Sequence, residues 1–198
     1  MKYGELNLGQ VEAMVNKLGG MEGVRRFLAE ELVVKEAEHQ LKIWKTIKLG
    51  IGLKTADDFR KAIKGNGFNI SEWANDVLGK PAFKVATEEI EVNLVRLTVA
   101  ELGFKKGARR DQIYECAKKL GLELCPSEVG PQLRLQYRDQ PNDEWIIVGM
   151  EPITDSGGRL YVLRVERFDS GLWLNCSWGY PGSVWNPDSL LVFVLPRK

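Results

Sequence analysis

SEVGPQLRLQY, residues 127–137, admits two readings, and the fold turns on which one holds. Val129, Leu133 and Tyr137 recur at helical spacing, whereas Leu133, Leu135 and Tyr137 alternate as they would in a strand leading into a hairpin. Read as a helix, the stretch pairs with the one before it as a helix-turn-helix. Read as a strand, it opens a β-sheet.

The flanks are less ambiguous. GARRDQIYECAKKLG, residues 107–121, predicts a helix with Ile113, Ala117 and Leu120 on its inner stripe and Gly121 closing it. After Pro126 the texture changes. WIIVGM, RLYVLRV, LWLNCSW and LLVFVL read as strands, and QPND, DSGG, FDSG and YPGSVWNPD supply the residues that tight turns require. Consecutive strands with short connections usually pair, so an antiparallel meander packed on the 109–120 helix is expected.

The N-terminal third reads as helices. Asn7 and Gln10 stand at capping-box spacing before Val11, Met14, Val15 and Leu18, and Gly19-Gly20 divides this helix from MEGVRRFLAEEL. VVKEAEHQ fits helix or strand. LKIWKTIKLG predicts a short strand, Thr55 caps a helix over TADDFRKAIKG, and Ser71 caps another over SEWANDVLG. EEIEVNLVRLT alternates as a strand, and Thr98 with Glu101 forms a second capping-box candidate. The expected architecture is α+β, with a mainly helical N-terminal domain, residues 1–86, and an α+β C-terminal domain with an antiparallel sheet, residues 87–198.

Composition bounds the function. The 198 residues are 44% hydrophobic and 28% charged, with 28 basic and 27 acidic residues for a formal charge of +1. That is an ordinary globular composition without the positive field of a dedicated duplex-DNA or membrane-surface binder. No run of about 18 apolar residues predicts a membrane span. Three scattered cysteines, Cys116, Cys125 and Cys176, form no disulfide framework and point to a reducing, cytoplasmic setting.

GQVEAMVNKLGGMEGVRRFL, TIKLGIGLKTADDFRKAI and ELCPSEVGPQLRLQYRDQP together resemble segments of a group of small uncharacterised bacterial proteins. The resemblance spans most of the chain. It implies a single recurring module and no activity.

Catalytic and metal chemistries find little support. The one histidine, His39, is far in sequence from every cysteine, and a structural zinc site needs short paired spacings that Cys116, Cys125 and Cys176 do not provide. Cys125 alone lies in a loop. Glu128 and Asp139 are carboxylates without a partner nucleophile. No catalytic residue, metal or cofactor is expected. LGIGLKT, with Gly50 and Gly52 between strand and helix, is a weak phosphate signal without the full glycine pattern.

Two binding surfaces remain. GLWLNCSWGYPGSVW, residues 171–185, predicts a strand with Leu172, Leu174, Cys176 and Trp178 toward the core and Trp173 outward, followed by a loop bearing Tyr180 and Trp185. Trp173, Tyr180 and Trp185 are the candidate platform for a protein or small ligand, because rigid aromatic rings dominate binding hot spots. The alternative is nucleic acid, bound by Lys105, Lys106, Arg109, Arg110, Arg134 and Arg138 around the possible helix-turn-helix of 105–138. The near-neutral charge weighs against it. A second two-helix candidate, residues 57–79, would turn Glu72 and Asp76 toward the phosphates. The expectation is a non-enzymatic binding module using the aromatic loop.

Overall fold

Residue 41 begins a new compact unit. The computed structural model describes residues 6–33 and 41–197, and the chain divides into Met1–Gln40 and Leu41–Lys198. His39 and most of VVKEAEHQ lie outside the described residues. In the first unit, Asn7 caps α1 (Leu8–Lys17) through the expected box with Gln10, and Gly19, in the left-handed region at φ 89°, starts α2 (Gly20–Leu28). No residue of α1 is buried.

Among the described residues the second unit holds four helices: α3 (Ala56–Gly65), α4 (Glu72–Leu78), α5 (Arg110–Lys119) and α6 (Val129–Gln136). Local caps decide the first two. Thr55 Oγ1 accepts from the Asp58 N–H while Asp58 accepts from the Thr55 N–H, and Ser71 Oγ accepts from the Ala74 N–H. Phe59 and Ile63 of α3 and Ala74, Val77 and Leu78 of α4 are buried. Thr98 and Glu101 do form their reciprocal bonds, over a turn and not a helix.

Ten strands complete the unit: β1 (Lys45–Leu49), β2 (Asn69–Ile70), β3 (Ile90–Thr98), β4 (Ala108–Arg109), β5 (Trp145–Val148), β6 (Ile153–Thr154), β7 (Leu160–Phe168), β8 (Gly171–Trp178), β9 (Val184–Trp185) and β10 (Leu190–Leu195). Eight of them form one sheet in the order β1-β3-β10-β5-β7-β8-β2, with β6 on β7, while β4 and β9 make a separate ribbon. The expected pure antiparallel meander is therefore corrected to a mixed sheet. β10 inserts between β3 and β5 and runs parallel to β5, and β2 runs parallel to β8. The division expected at residue 86 falls inside this unit, because β1 and β2 are strands of the same sheet as β3, β5, β7, β8 and β10.

SEVGPQLRLQY resolves as helix. α6 packs against β1, β7, β8 and α3. In a flat sheet β1 and β8 would stand about 24 Å apart, five strand spacings, and a helix about 10–12 Å across does not reach both. The sheet is curled around α6. Gly130 makes the close approach: a Cβ there would stand 2.5 Å from Leu163 Cδ1.

Polar side chains of α6 close the curl. Along the edge strand β1, Gln136 accepts from the Lys48 N–H at 3.0 Å and donates to the Lys48 carbonyl at 2.8 Å. Glu128, fully buried, accepts from the Gly50 N–H at 2.8 Å, the Ala86 N–H at 2.7 Å and Gln132 Nε2 at 3.0 Å. LGIGLKT is thus no phosphate cradle, because the Gly50 amide already serves a carboxylate of the chain itself. Gly50 sits at φ +70°, and a Cβ there would lie 2.1 Å from the Glu88 carbonyl oxygen.

Register places Ile146, Leu163, Val165 and Leu174 on the α6 side of the sheet, and Ile147, Arg164, Asn175 and Phe193 on the other. α5 covers part of that second face. Tyr114 meets Phe193 edge-on at 5.8 Å and donates to the Met150 carbonyl at 3.0 Å.

Glu128→Ala leaves the Gly50 and Ala86 N–H groups without their acceptor, and an unmet buried donor costs about 1–3 kcal/mol. Urea denaturation should show a loss of about 3 kcal/mol or more. A loss below about 1 kcal/mol contradicts the role given to Glu128.

Candidate functional site

On the face away from α6, β5, β7 and β8 bring two aromatic and polar rows together. Trp145 pairs with Glu166, which pairs with Trp173; Ile147 pairs with Arg164, which pairs with Asn175. Arg164 lies over the Trp145 ring at 4.7 Å and forms an ion pair with Glu166 at 2.7 Å. Asn175 Nδ2 donates to Glu166 Oε1 at 2.6 Å, fixing the carboxylate. Burial pulls the Arg164 guanidinium below its ordinary value, against the pull of Glu166. Its Nε has no hydrogen-bond partner among the described residues.

A groove of about 410 Å³ lies over this row, within the range of small-molecule sites. Trp73, Trp145, Trp178 and Trp185, four of the six tryptophans, line it with Tyr161 and Arg164. Three of those rings are about half exposed, Trp73 at 47%, Trp145 at 43% and Trp178 at 52%, whereas Trp185 is buried. Ser177, Ser183, Asn186 and Ser189 add small polar groups.

Each wall has its own support. Trp178 stacks on Tyr161, centroids 5.0 Å apart and planes 19° apart, with Tyr180 tilted beside it at 6.1 Å. Trp185 is held by the β4–β9 ribbon opposite Ala108 and packs on Tyr114. The loop before it is fastened to the start of α5: the Arg110 N–H donates to the Ser183 carbonyl at 2.8 Å, the Asp111 N–H to Pro181 at 3.2 Å, and Arg110 Nε to Tyr180 at 3.3 Å. Trp73 comes from α4, which a clasp ties to the turn after β6. Asp76 accepts from the Ser156 N–H at 2.6 Å and from its hydroxyl at 2.8 Å, and Lys80 lies 3.0 Å from the same carboxylate.

The expected platform is rearranged. Trp173 stands one strand position beyond the groove, half-buried, its Nε1 donating to Ser170 Oγ at 3.2 Å. Tyr180 is exposed next to Trp178. Trp185, expected outward, is buried, and Trp178, expected in the core, is exposed, because the buried face of β8 ends at Cys176, two residues before the strand does. Trp73, Trp145 and Arg164 were not among the candidates. Trp73 was not marked by the pattern, since it stands one turn before buried Val77 and flanks the buried stripe of α4. Trp145 and Arg164 meet only through the β5–β7 register.

The six basic candidates are not gathered. Arg134 is fully buried, bonded to Gln140 Oε1 at 2.6 Å and to the Tyr137 and Glu166 carbonyls, with its pKa pulled down to about 10 by burial. Arg110 is buried on Tyr114. Arg109 is paired with Asp111, and Arg138 bonds to Asn66 beyond α3. Lys105 and Lys106 are exposed. The would-be reading helix is α6, inside the molecule, so the helix-turn-helix of 105–138 is corrected. In the other candidate pair the link between α3 and α4 contains β2, a strand of the sheet.

Two of the three cysteines, Cys125 and Cys176, are buried. Burial pushes the Cys125 thiol far up and that of Cys176 to about 12, and Cys116 Sγ donates to the Leu102 carbonyl. Among the described residues no group of three or more His, Cys, Asp or Glu stands together as a metal site, and no helix is long and apolar enough to cross a membrane.

No family model, curated protein or solved structure matches the chain. The resemblance to small bacterial proteins gains no support from these comparisons.

The Asp76 carboxyl is held at about 2, against an ordinary 3.8, first by the Ser156 N–H and then by Lys80 and the Ser156 hydroxyl. A depressed carboxyl contributes stability that is present above 3.8 and is lost as the pH falls through about 2. The Trp73 indole signal should therefore shift across that window, and in Asp76→Asn it should sit at a displaced position already at neutral pH. An unchanged Trp73 signal in both cases contradicts the clasp.

Proposed function

We propose that this chain is a non-enzymatic binding module whose contact site is the tryptophan-lined groove over β5, β7 and β8. One observation carries the reading: three half-exposed tryptophans from separate elements converge with buried Trp185 on one groove. Exposed rings scattered singly need no explanation, but a contiguous aromatic patch marks interaction surfaces. Each half-exposed ring also sits on local scaffolding, Trp145 under Arg164, Trp178 on Tyr161 and Trp73 on the clasped α4. Such rings give contact area at small entropy cost. The one cysteine in the lining, Cys176, is buried with its thiol pushed up to about 12, and among the described residues no three His, Cys, Asp or Glu stand together as a metal site, which favours binding over catalysis. Nucleic acid is the weaker reading, because the basic residues that would serve it are divided between the core and separate surfaces.

The test is a titration followed by the indole ¹H–¹⁵N signals of the six tryptophans, using neutral heteroaromatic and sugar fragments and short apolar peptides as probes. The reading expects at least one probe to shift Trp73, Trp145, Trp178 and Trp185 together while Trp44 stays in place. Probes that move Trp44 or Trp173 and leave the groove indoles unchanged, or that move none, overturn it.

A further inference from the structure

The hydrogen-bonding inventory of the groove is lopsided. Among the described residues none of the indole N–H groups of Trp73, Trp145, Trp178 and Trp185 has a hydrogen-bond partner within the protein, whereas Trp173 has one in Ser170. An indole can only donate. No aspartate or glutamate lines the groove, so its side-chain oxygen acceptors are the hydroxyls of Tyr161, Ser177, Ser183 and Ser189 and the Asn186 amide. The one charge in the lining, Arg164, is already compensated by Glu166 at 2.7 Å.

An occupant that satisfies this surface carries acceptors, few donors, flat apolar faces and little charge. A sugar fits poorly, because each hydroxyl brings a hydrogen that needs an acceptor. A phosphate-rich strand fits poorly, because the guanidinium is neutralised. A proline-rich peptide fits on each count. Its residues lack the N–H, its carbonyls are unbonded in the extended polyproline helix, and its pyrrolidine rings are flat apolar faces. Aromatic-lined grooves receive such segments with little ordering cost, since the peptide helix is preformed.

We infer that the groove docks a proline-rich peptide in the polyproline II conformation, with Trp73, Trp145 and Trp178 as stacking ridges and their indole N–H groups donating to peptide carbonyls. The inference rests on the reading of the groove as a binding site, and it names the occupant.

The experiment titrates the full chain with decaproline, and in parallel with maltose and adenosine, reading indole ¹H–¹⁵N shifts and tryptophan fluorescence. Decaproline should shift the indoles of Trp73, Trp145 and Trp178 saturably. Trp145→Ala and Trp178→Ala should each weaken it at least tenfold, while Trp173→Ala leaves it within twofold. Wild-type shift mapping needs no variant, so a misfolded substitution does not hide the answer. Binding that survives both groove substitutions overturns the inference. If decaproline is silent while maltose or adenosine shifts the groove indoles, the peptide assignment fails and the groove stands. If no probe shifts them, both fail.

Discussion

Two hydrogen bonds between the Gln136 amide and the backbone of Lys48 hold the rest of the structure in register. β1 ends the sheet, and an edge strand presents unpaired N–H and carbonyl groups that invite another chain. Here a helix side chain takes the place of a neighbouring strand. Glu128 continues the closure about two turns earlier, at the N-cap of the same helix, accepting from Gly50 and Ala86. With α6 tied to β1 and packed on β7 and β8, the sheet curls.

Closure explains why so polar a helix lies in the core. Glu128, Gln132 and Arg134 are fully buried, and burying such groups is tolerable only when they are bonded. Gln132 bonds to Glu128 and Gln136, and Glu128 also to the Gly50 and Ala86 N–H groups; Arg134 spreads over the Gln140 side chain and two carbonyls and lies against Phe68 at 5.3 Å. A curl with its concave side filled leaves the convex side of β5, β7 and β8 to carry Trp145 and Arg164. The rest of that face, with Phe193 beneath α5, belongs to the core.

Much of this was legible in sequence where the cause is local. Thr55 and Ser71 announce their helices because a cap needs only the next three residues. The alternation of EEIEVNLVRLT marks β3 for the same reason. The α+β class follows from these elements together. Strand order was not legible: β10 lies between β3 and β5, and the rule that neighbours in sequence pair does not see that insertion. SEVGPQLRLQY resisted because Gln132, Arg134 and Gln136 look like a solvent face, whereas Gln136 bonds to the distant Lys48 backbone, Arg134 to Gln140 and two carbonyls, and Gln132 to Glu128 and Gln136. The aromatic loop was found in outline only. Alternation sorts Trp173 from Trp178 correctly by face, but burial at a strand end depends on where the core stops.

Amide hydrogen exchange at Lys48 and Gly50, measured beside the groove indoles, tests the central claim most directly. If α6 closes the sheet and leaves the groove open, both amides exchange as slowly as those of interior strands while the Trp145 and Trp178 indole N–H groups exchange fast. Rapid exchange at Lys48 and Gly50 would mean that β1 is a free edge, and the closed sheet on which the groove is built would be lost.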